Sequence, residues 1–407
     1  MTGCHRLTVG RSKGQREVFR TRLQGKAVFP EQFMTQINEI ARPKPDKFCK
    51  EDIGMDVVSL IDALGEPAVF ALAGVVAGII FGISAEQSRF CLRAAAVEVA
   101  RATLGSRMAV WLLTFSTALL WTQAMHTMGI IDLGSSRWLA SPGTLSGAIV
   151  GGVVFGIGMI LARGCPGRLL VLGATGNLRA ILSGLVFAVV AQMSLEGALS
   201  PIREFISGGW ITKGPNPNIL WELNMPSGSG IVIGIAFAAL ALVIAYRNRV
   251  SWVTLLFGCG VGFSVAVGWF LTYTLAQTSF DPVPVGSLTF SGPSADTLMY
   301  LLSTDSPLEF DVGLIPGVAV GAFVSALMAG RLIWQGWDGA RSMQRYLAGA
   351  ALMGFGAMTA GGCTIGAGVT GGSTFALTAW VALVSMWLAG MAADRLIDYA
   401  PHTVPVI

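Results

Sequence analysis

Charge is scarce in this chain. Of 407 residues, 12% are Asp, Glu, Lys or Arg, against about 25% in soluble domains. Histidine occurs only at positions 5, 126 and 402, too dispersed to form a metal-ligand motif. No CxxC pair is present, which weighs against a zinc ribbon or a thioredoxin-like dithiol, and the scattered Cys4, Cys49, Cys91, Cys165, Cys259 and Cys363 form no secreted-disulfide framework. There is no GxxxxGK[ST] phosphate loop, so a resident ATPase is not expected. The net charge of +4 is mild and the basic residues sit at segment ends and near the start, which argues against a nucleic-acid partner.

Apolar residues fill the space left by charge, at 53% of the chain. Eight long apolar runs stand out: residues 68–84, 108–128, 144–162, 178–195, 230–246, 252–276, 312–330 and 375–391. About 20 such residues cross the hydrocarbon of a bilayer as a helix. The expected fold is therefore an all-α polytopic membrane protein. Its 52 glycines permit helices to pack backbone against backbone in lipid.

Residues 1–66 differ in kind. They are polar and basic, with Arg6, Arg11, Lys13, Arg16, Arg20, Arg22 and Lys26 before any apolar run, and no signal-peptide core follows. They read as a cytoplasmic extension, disordered in part, with a short helix near residues 32–40. A true start downstream, at Met55, is the alternative. Basic residues favour the cytoplasmic side, so the N-terminus is expected inside. Residues 68–84 would then cross outward and residues 90–104 return, which puts Arg101 and Arg107 inside.

One pattern occurs twice. GGVVFGIGMILARGCPG reaches Cys165, and GAALMGFGAMTAGGCTIG reaches Cys363. Superposed, Gly156 falls on Gly354, Gly158 on Gly356, Ala162 on Ala360 and Gly164 on Gly362. Two related membrane halves are expected, residues 67–229 and 230–407. Counting the passes brings the two Gly-Cys segments in from opposite faces, as an inverted repeat of discontinuous helices that meet near the midplane.

Half of Gly361–Gly372 is glycine, each costing about 1 kcal/mol relative to alanine in a helix. The segment is expected to be a break between half-helices. Irregular backbone at membrane depth needs cover from protein or a water-lined cavity. The second half-helix then offers free N–H groups and partial positive charge to an anion. Pro166 suits the first turn of such a half-helix. Cys165 and Cys363, with Gly164 and Gly362 before them, become candidate site residues. Cys91, in QSRFCLRA, joins them, flanked by Arg89 and Arg93. Arg89, Arg93, Arg163 and Arg168 are candidates for concentrating anions at the mouths, or for anchoring the inner ends of helices. Buried cysteine otherwise serves as a small hydrophobe, the role assigned to Cys259.

At these residues the chain resembles the YeeE/YedE family, membrane proteins that include bacterial thiosulfate uptake transporters. SRFCLRA, GIGMILARGC and MTAGGCTIGAG carry the resemblance, which covers residues 68–391. It implies an hourglass-shaped, multi-pass protein of the bacterial inner membrane. Cys91, Cys165 and Cys363 would line its central path for thiosulfate, and a cytoplasmic sulfur carrier of the TusA type would be a partner. The chain departs from the family pattern in Arg93–Val97 after the first motif and in Arg163, Pro166 and Arg168 around the second, which leaves a related sulfur or selenium species open as cargo.

The function expected is transport without catalysis, with no cofactor and no metal, the three thiols acting as relay points for the substrate sulfur. Two other classes stay open. A membrane sulfurtransferase would form a cysteine persulfide and needs a thiolate, which neighbouring cations favour. A soft-metal pathway would use Met159 and Met358 beside the cysteines.

Overall fold

The computed structural model describes residues 59–398 apart from 227, 280–282, 304–306 and 337–338. The expected N-terminal extension therefore lies almost wholly outside the described residues, together with Cys4, Cys49, His5 and His402. The described chain is all-α, with a few isolated bridges between extended residues. The main helices are α1 (Glu66–Ser88), α2 (Leu92–Ala100), α3 (Ser106–Thr127), α4 (Leu145–Leu161), α5 (Pro166–Ala174), α6 (Leu178–Leu195), α7 (Ser200–Ser207), α8 (Ser229–Arg247), α9 (Trp252–Thr278), α10 (Gly292–Leu302), α11 (Phe310–Met328), α12 (Ala340–Thr359), α13 (Thr364–Gly371) and α14 (Leu377–Ala393).

Among the described residues, 9 helical segments are long and apolar enough to cross a bilayer. The protein is a polytopic membrane protein. The sequence shows eight apolar runs because the ninth segment, Ala340–Gly371, opens with Arg341 and Arg345, and its best window has a mean hydropathy of only 1.3. That segment is the most enclosed, 78% buried, whereas Ser229–Arg247 is 28% buried and lies at the periphery.

Glycine sets the closest helix contact. Gly74, Gly78 and Gly82 of α1 face the carbonyls of Phe310, Leu314 and Val318, and Gly313, Gly317 and Gly321 of α11 face those of Ala71, Val75 and Ile79. A Cβ at any of these positions would overlap the facing backbone. Small residues spaced by four on both helices let dispersion and Cα–H contacts replace the hydrophobic drive that lipid does not supply. Pro316 sits inside α11 without ending it.

Packing partners recur in exchanged pairs. α1 packs on α11 as α9 packs on α3; α4 on α14 as α12 on α6; α2 on α3 as α10 on α11; α5 on α6 as α13 on α14. The α4–α12 and α1–α9 contacts join the two sets, and α8 packs on α3 with no counterpart.

Contacts at the helix ends fix their directions. Arg331, just past α11, bonds Glu86 near the end of α1 at 2.9 Å, and Asn248, just past α8, bonds the Leu104 carbonyl before α3 at 2.7 Å. Hence α1, α8 and α11 finish where α3 and α9 begin. The same end holds Arg101 on Asp394 at 3.1 Å and Arg345 on Asp398 at 2.6 Å. At the opposite end Glu66 pairs with Ser279, beside Glu309 and Asp311. One end is therefore rich in arginine and the other in carboxylates.

Candidate substrate path

Four half-helices begin inside the bundle, each from an equivalent kind of break. Cys91 is the residue before α2, Cys165 before α5, Ser291 before α10 and Cys363 before α13. Cys91, Cys165 and Cys363 are extended, and the winding starts on the next residue. Pro166 occupies the first turn of α5, as its fixed φ and missing N–H allow.

The breaks that lead to Cys165 and Cys363 share a backbone. Two residues before each cysteine the chain turns left-handed, at Arg163 (φ 56°) and Gly361 (φ 79°). Glycine adopts that conformation freely, whereas an L side chain costs about 1–2 kcal/mol there. Arg163 is held in it all the same, with its guanidinium 5.9 Å from the centre of the Tyr346 ring. Beyond the cysteines the second arm is one residue longer: Asn177 and Ala376 both precede the following long helix and both make an isolated bridge. The extra residue is taken up by wider, π-type winding of α13.

The cysteines form a connected set. The Cys91 and Cys165 thiols are close enough to interact, and the Thr364 hydroxyl, buried without a hydrogen-bond partner, lies near Cys165. Thr364 adjoins Cys363, whose Sγ accepts from the N–H groups of Phe290 at 3.3 Å and Gly366 at 3.5 Å, with Thr289 Oγ1 at 4.0 Å. Amide donors aimed at a sulfur show how the site would hold a partial negative charge. Cys165 and Cys363 are 1% and 0% exposed, and Cys91 is half-buried. Cys259, on α9, is half-buried against the apolar core, as its expected packing role requires.

The flanking glycines differ. A Cβ at Gly362 would come within 2.8 Å of the Ala367 nitrogen, whereas one at Gly164 would meet Leu169 at an ordinary 3.4 Å. The candidate arginines also have partners away from the thiols, although Arg93 stays within electrostatic reach of Cys91. Arg93 pairs with Asp398 at 3.4 Å, and Arg163 lies over Tyr346. Arg168, half-buried in the first turn of α5, is the cation within electrostatic reach of both Cys91 and Cys165.

At the carboxylate-rich end a cavity of about 430 Å³ opens between Arg137, Thr272, Ser287, Glu309 and Asp311. Arg137 reaches from it to the Gly361 carbonyl at 3.3 Å, at the lip of the Cys363 break. Asp311 is half-buried in this wall. Asp296 in α10 lies near it across Gly292. Burial pushes the Asp296 carboxyl up to about 7; Asp311 and Glu309 push the same way, and Arg137 opposes them. Sequence reasoning passed over Arg137, Thr289 and Thr364. Arg137 had one available signal, as the only cation between α3 and α4. Thr364 had another, as the residue that aligns with Pro166.

Comparison with known proteins agrees in extent with this core. A family model described as sulphur transport matches residues 87–392. Thiosulfate transporter TsuA of Spirochaeta thermophila is 27% identical over 329 residues, covering 76% of this chain and 94% of the relative. Thiosulfate transporter TsuA of Escherichia coli is 23% identical over 358 residues, covering 81% and 96%.

Proposed function

The chain belongs to the sulphur transport family, and from that premise we propose that it carries thiosulfate, or a close sulfur or selenium analogue, across the bacterial inner membrane along Cys363, Cys165 and Cys91. The observation that carries this reading is the contact chain from Arg137 and Gly361 through Cys363, Thr364 and Cys165 to Cys91 and Arg168. It links the two ends of the bundle through half-helix N-termini.

In this reading the exchanged packing pairs are an inverted-topology repeat, α1–α6 against α9–α14. The boundary then moves from residue 230 to α9, because α8 has no counterpart. The arginine-rich end faces the cytoplasm by the positive-inside rule. Glu66 consequently lies toward the outside, in place of the cytoplasmic start expected from the basic N-terminal residues. That expectation treated residues 68–84 as an outward pass, whereas α1 ends beside Arg331 and Arg107, at the basic end.

Thiosulfate is a dianion with one soft terminal sulfur. Backbone amides and neutral thiols replace part of its hydration without the tight hold of a buried ion pair. Arg137 would draw the anion to the outer cavity and Arg168 would receive it past Cys165. Release on the cytoplasmic side suits a soluble sulfur carrier of the TusA type as acceptor, and lipid surrounds the exposed faces of α6 and α8.

The test is uptake of labelled thiosulfate by cells producing single alanine variants at positions 91, 165 and 363, with matched amounts of membrane protein. Losses of roughly tenfold or more are expected at 165 and 363, since each removes a contact to the substrate in a water-poor passage. Wild-type rates in all three variants would remove the relay. The Cys91–Cys165 pair beside Arg168 favours one second reading, a sulfurtransferase whose thiolate attacks the sulfane sulfur of thiosulfate, breaking its S–S bond, releasing sulfite and leaving a cysteine persulfide. A stable +32 Da adduct on either cysteine in the purified protein after thiosulfate exposure would favour it over transport.

A further inference from the structure

Four arginines meet at the basic end with too little opposite charge to neutralise them. Arg163, Arg341, Ser342, Arg345 and Tyr346 line a cavity of about 420 Å³. Arg179, at the start of α6, lies 4.4 Å over the same Tyr346 ring that Arg163 approaches from 5.9 Å. Among the described residues, Arg163, Arg179 and Arg341 have no hydrogen-bond acceptor and no ion pair. The nearby carboxylate, Asp398, pairs with Arg345 and Arg93 and also lies within electrostatic reach of Arg163, one charge shared by three arginines. The Nε atoms of both these arginines are buried without a partner.

Like charges brought this close repel unless a counter-ion sits among them. The backbone strain at Arg163 makes the arrangement more telling, because the matching position in the other half carries glycine. Strain of that kind persists where surrounding structure holds it for a use. Guanidinium groups are weakly hydrated forks matched to tetrahedral oxyanions. Tyr346 is 3% exposed and gives the two stacked guanidiniums a rigid platform.

We propose that this cavity is a binding site for a sulfate- or phosphate-type oxyanion, distinct from the cysteine path. Two sources share that chemistry: a free oxyanion in the cytoplasm, and the phosphate of an anionic lipid at the headgroup level where α6 and α12 begin. The site stands whether or not the cysteines carry substrate, because its lining residues include none of the three cysteines.

The experiment measures the melting temperature of the purified protein in detergent with sodium sulfate and with sodium chloride at equal ionic strength. A ligand that binds the native state alone raises the melting point by mass action. The sulfate-minus-chloride increment is expected in the wild type and in Cys165→Ala, and is expected to fall roughly threefold or more in Arg163→Gly and in Arg341→Gln. Arg341→Gln changes an exposed side chain and keeps the comparison valid if Arg163→Gly shifts the baseline. Phosphatidylglycerol is then added to the micelles, with phosphatidylcholine as control. Loss of the sulfate increment under phosphatidylglycerol alone assigns the site to a lipid phosphate, and its retention assigns the site to a free oxyanion. No increment in the wild type, or an undiminished wild-type increment in both arginine variants, overturns the proposal.

Discussion

Asp296, close to Asp311 at the carboxylate-rich end, carries the prediction at the scale of a single residue. Burial and the neighbouring Asp311 and Glu309 hold its carboxyl up to about 7, against roughly 4 in an unfolded chain. Between those values the folded state binds more protons than the unfolded one, so stability falls as pH rises from about 4 to 7. Asp296→Asn should remove that loss. Melting curves from pH 5 to 8 should show the variant gaining on the wild type as pH increases; parallel curves would show that Asp296 is not held protonated. Residue-level legibility in the sequence was uneven for a physical reason. Cys165 and Cys363 are visible because the same local problem, ending a helix on a thiol inside the membrane, is solved twice in nearly the same letters. Arg137 and Thr364 act through placement by the fold, and a lone arginine in a loop or a threonine after a cysteine has no distinguishing pattern.

Elements are positioned here by what the helices omit. The α1–α11 contact depends on glycine at 74, 78, 82, 313, 317 and 321, each facing a carbonyl of the partner helix. Gly78→Val would force the helices apart, at a cost of about 3 kcal/mol at the upper end of overpacking. Gly184 on α6 has nothing within 4 Å of an added Cβ, so Gly184→Ala should gain up to about 1 kcal/mol from helix propensity. Thermal unfolding in detergent checks both, and equal effects would refute the backbone-contact account. The GxxxG spacing is open to reading in the sequence, but the identity of the partner helix is not, because any small-residue stripe fits any other. Apolar length found the peripheral helices readily. It passed over the central segment Ala340–Gly371, whose burial in protein relieves it of the need to be uniformly apolar.

At the scale of the whole molecule, the two sets of helices exchange packing partners and deliver four half-helix starts to one interior region. The all-α membrane class and the paired breaks were legible because bilayer thickness and backbone hydrogen bonding impose them on any chain. Which helix ends lie together was not: α1 and α11 finish side by side, with Arg331 on Glu86 and Arg107 on the Arg89 carbonyl. Direction is fixed by which helix ends meet, and that is a property of the folded bundle.

The purified protein in liposomes provides the most direct measurement. Labelled thiosulfate flux should exceed that of protein-free vesicles, and Cys165→Ala/Cys363→Ala should bring it down roughly tenfold or more while the melting temperature stays within a few degrees. A double variant that conducts thiosulfate at the wild-type rate would contradict the passage through the two broken helices.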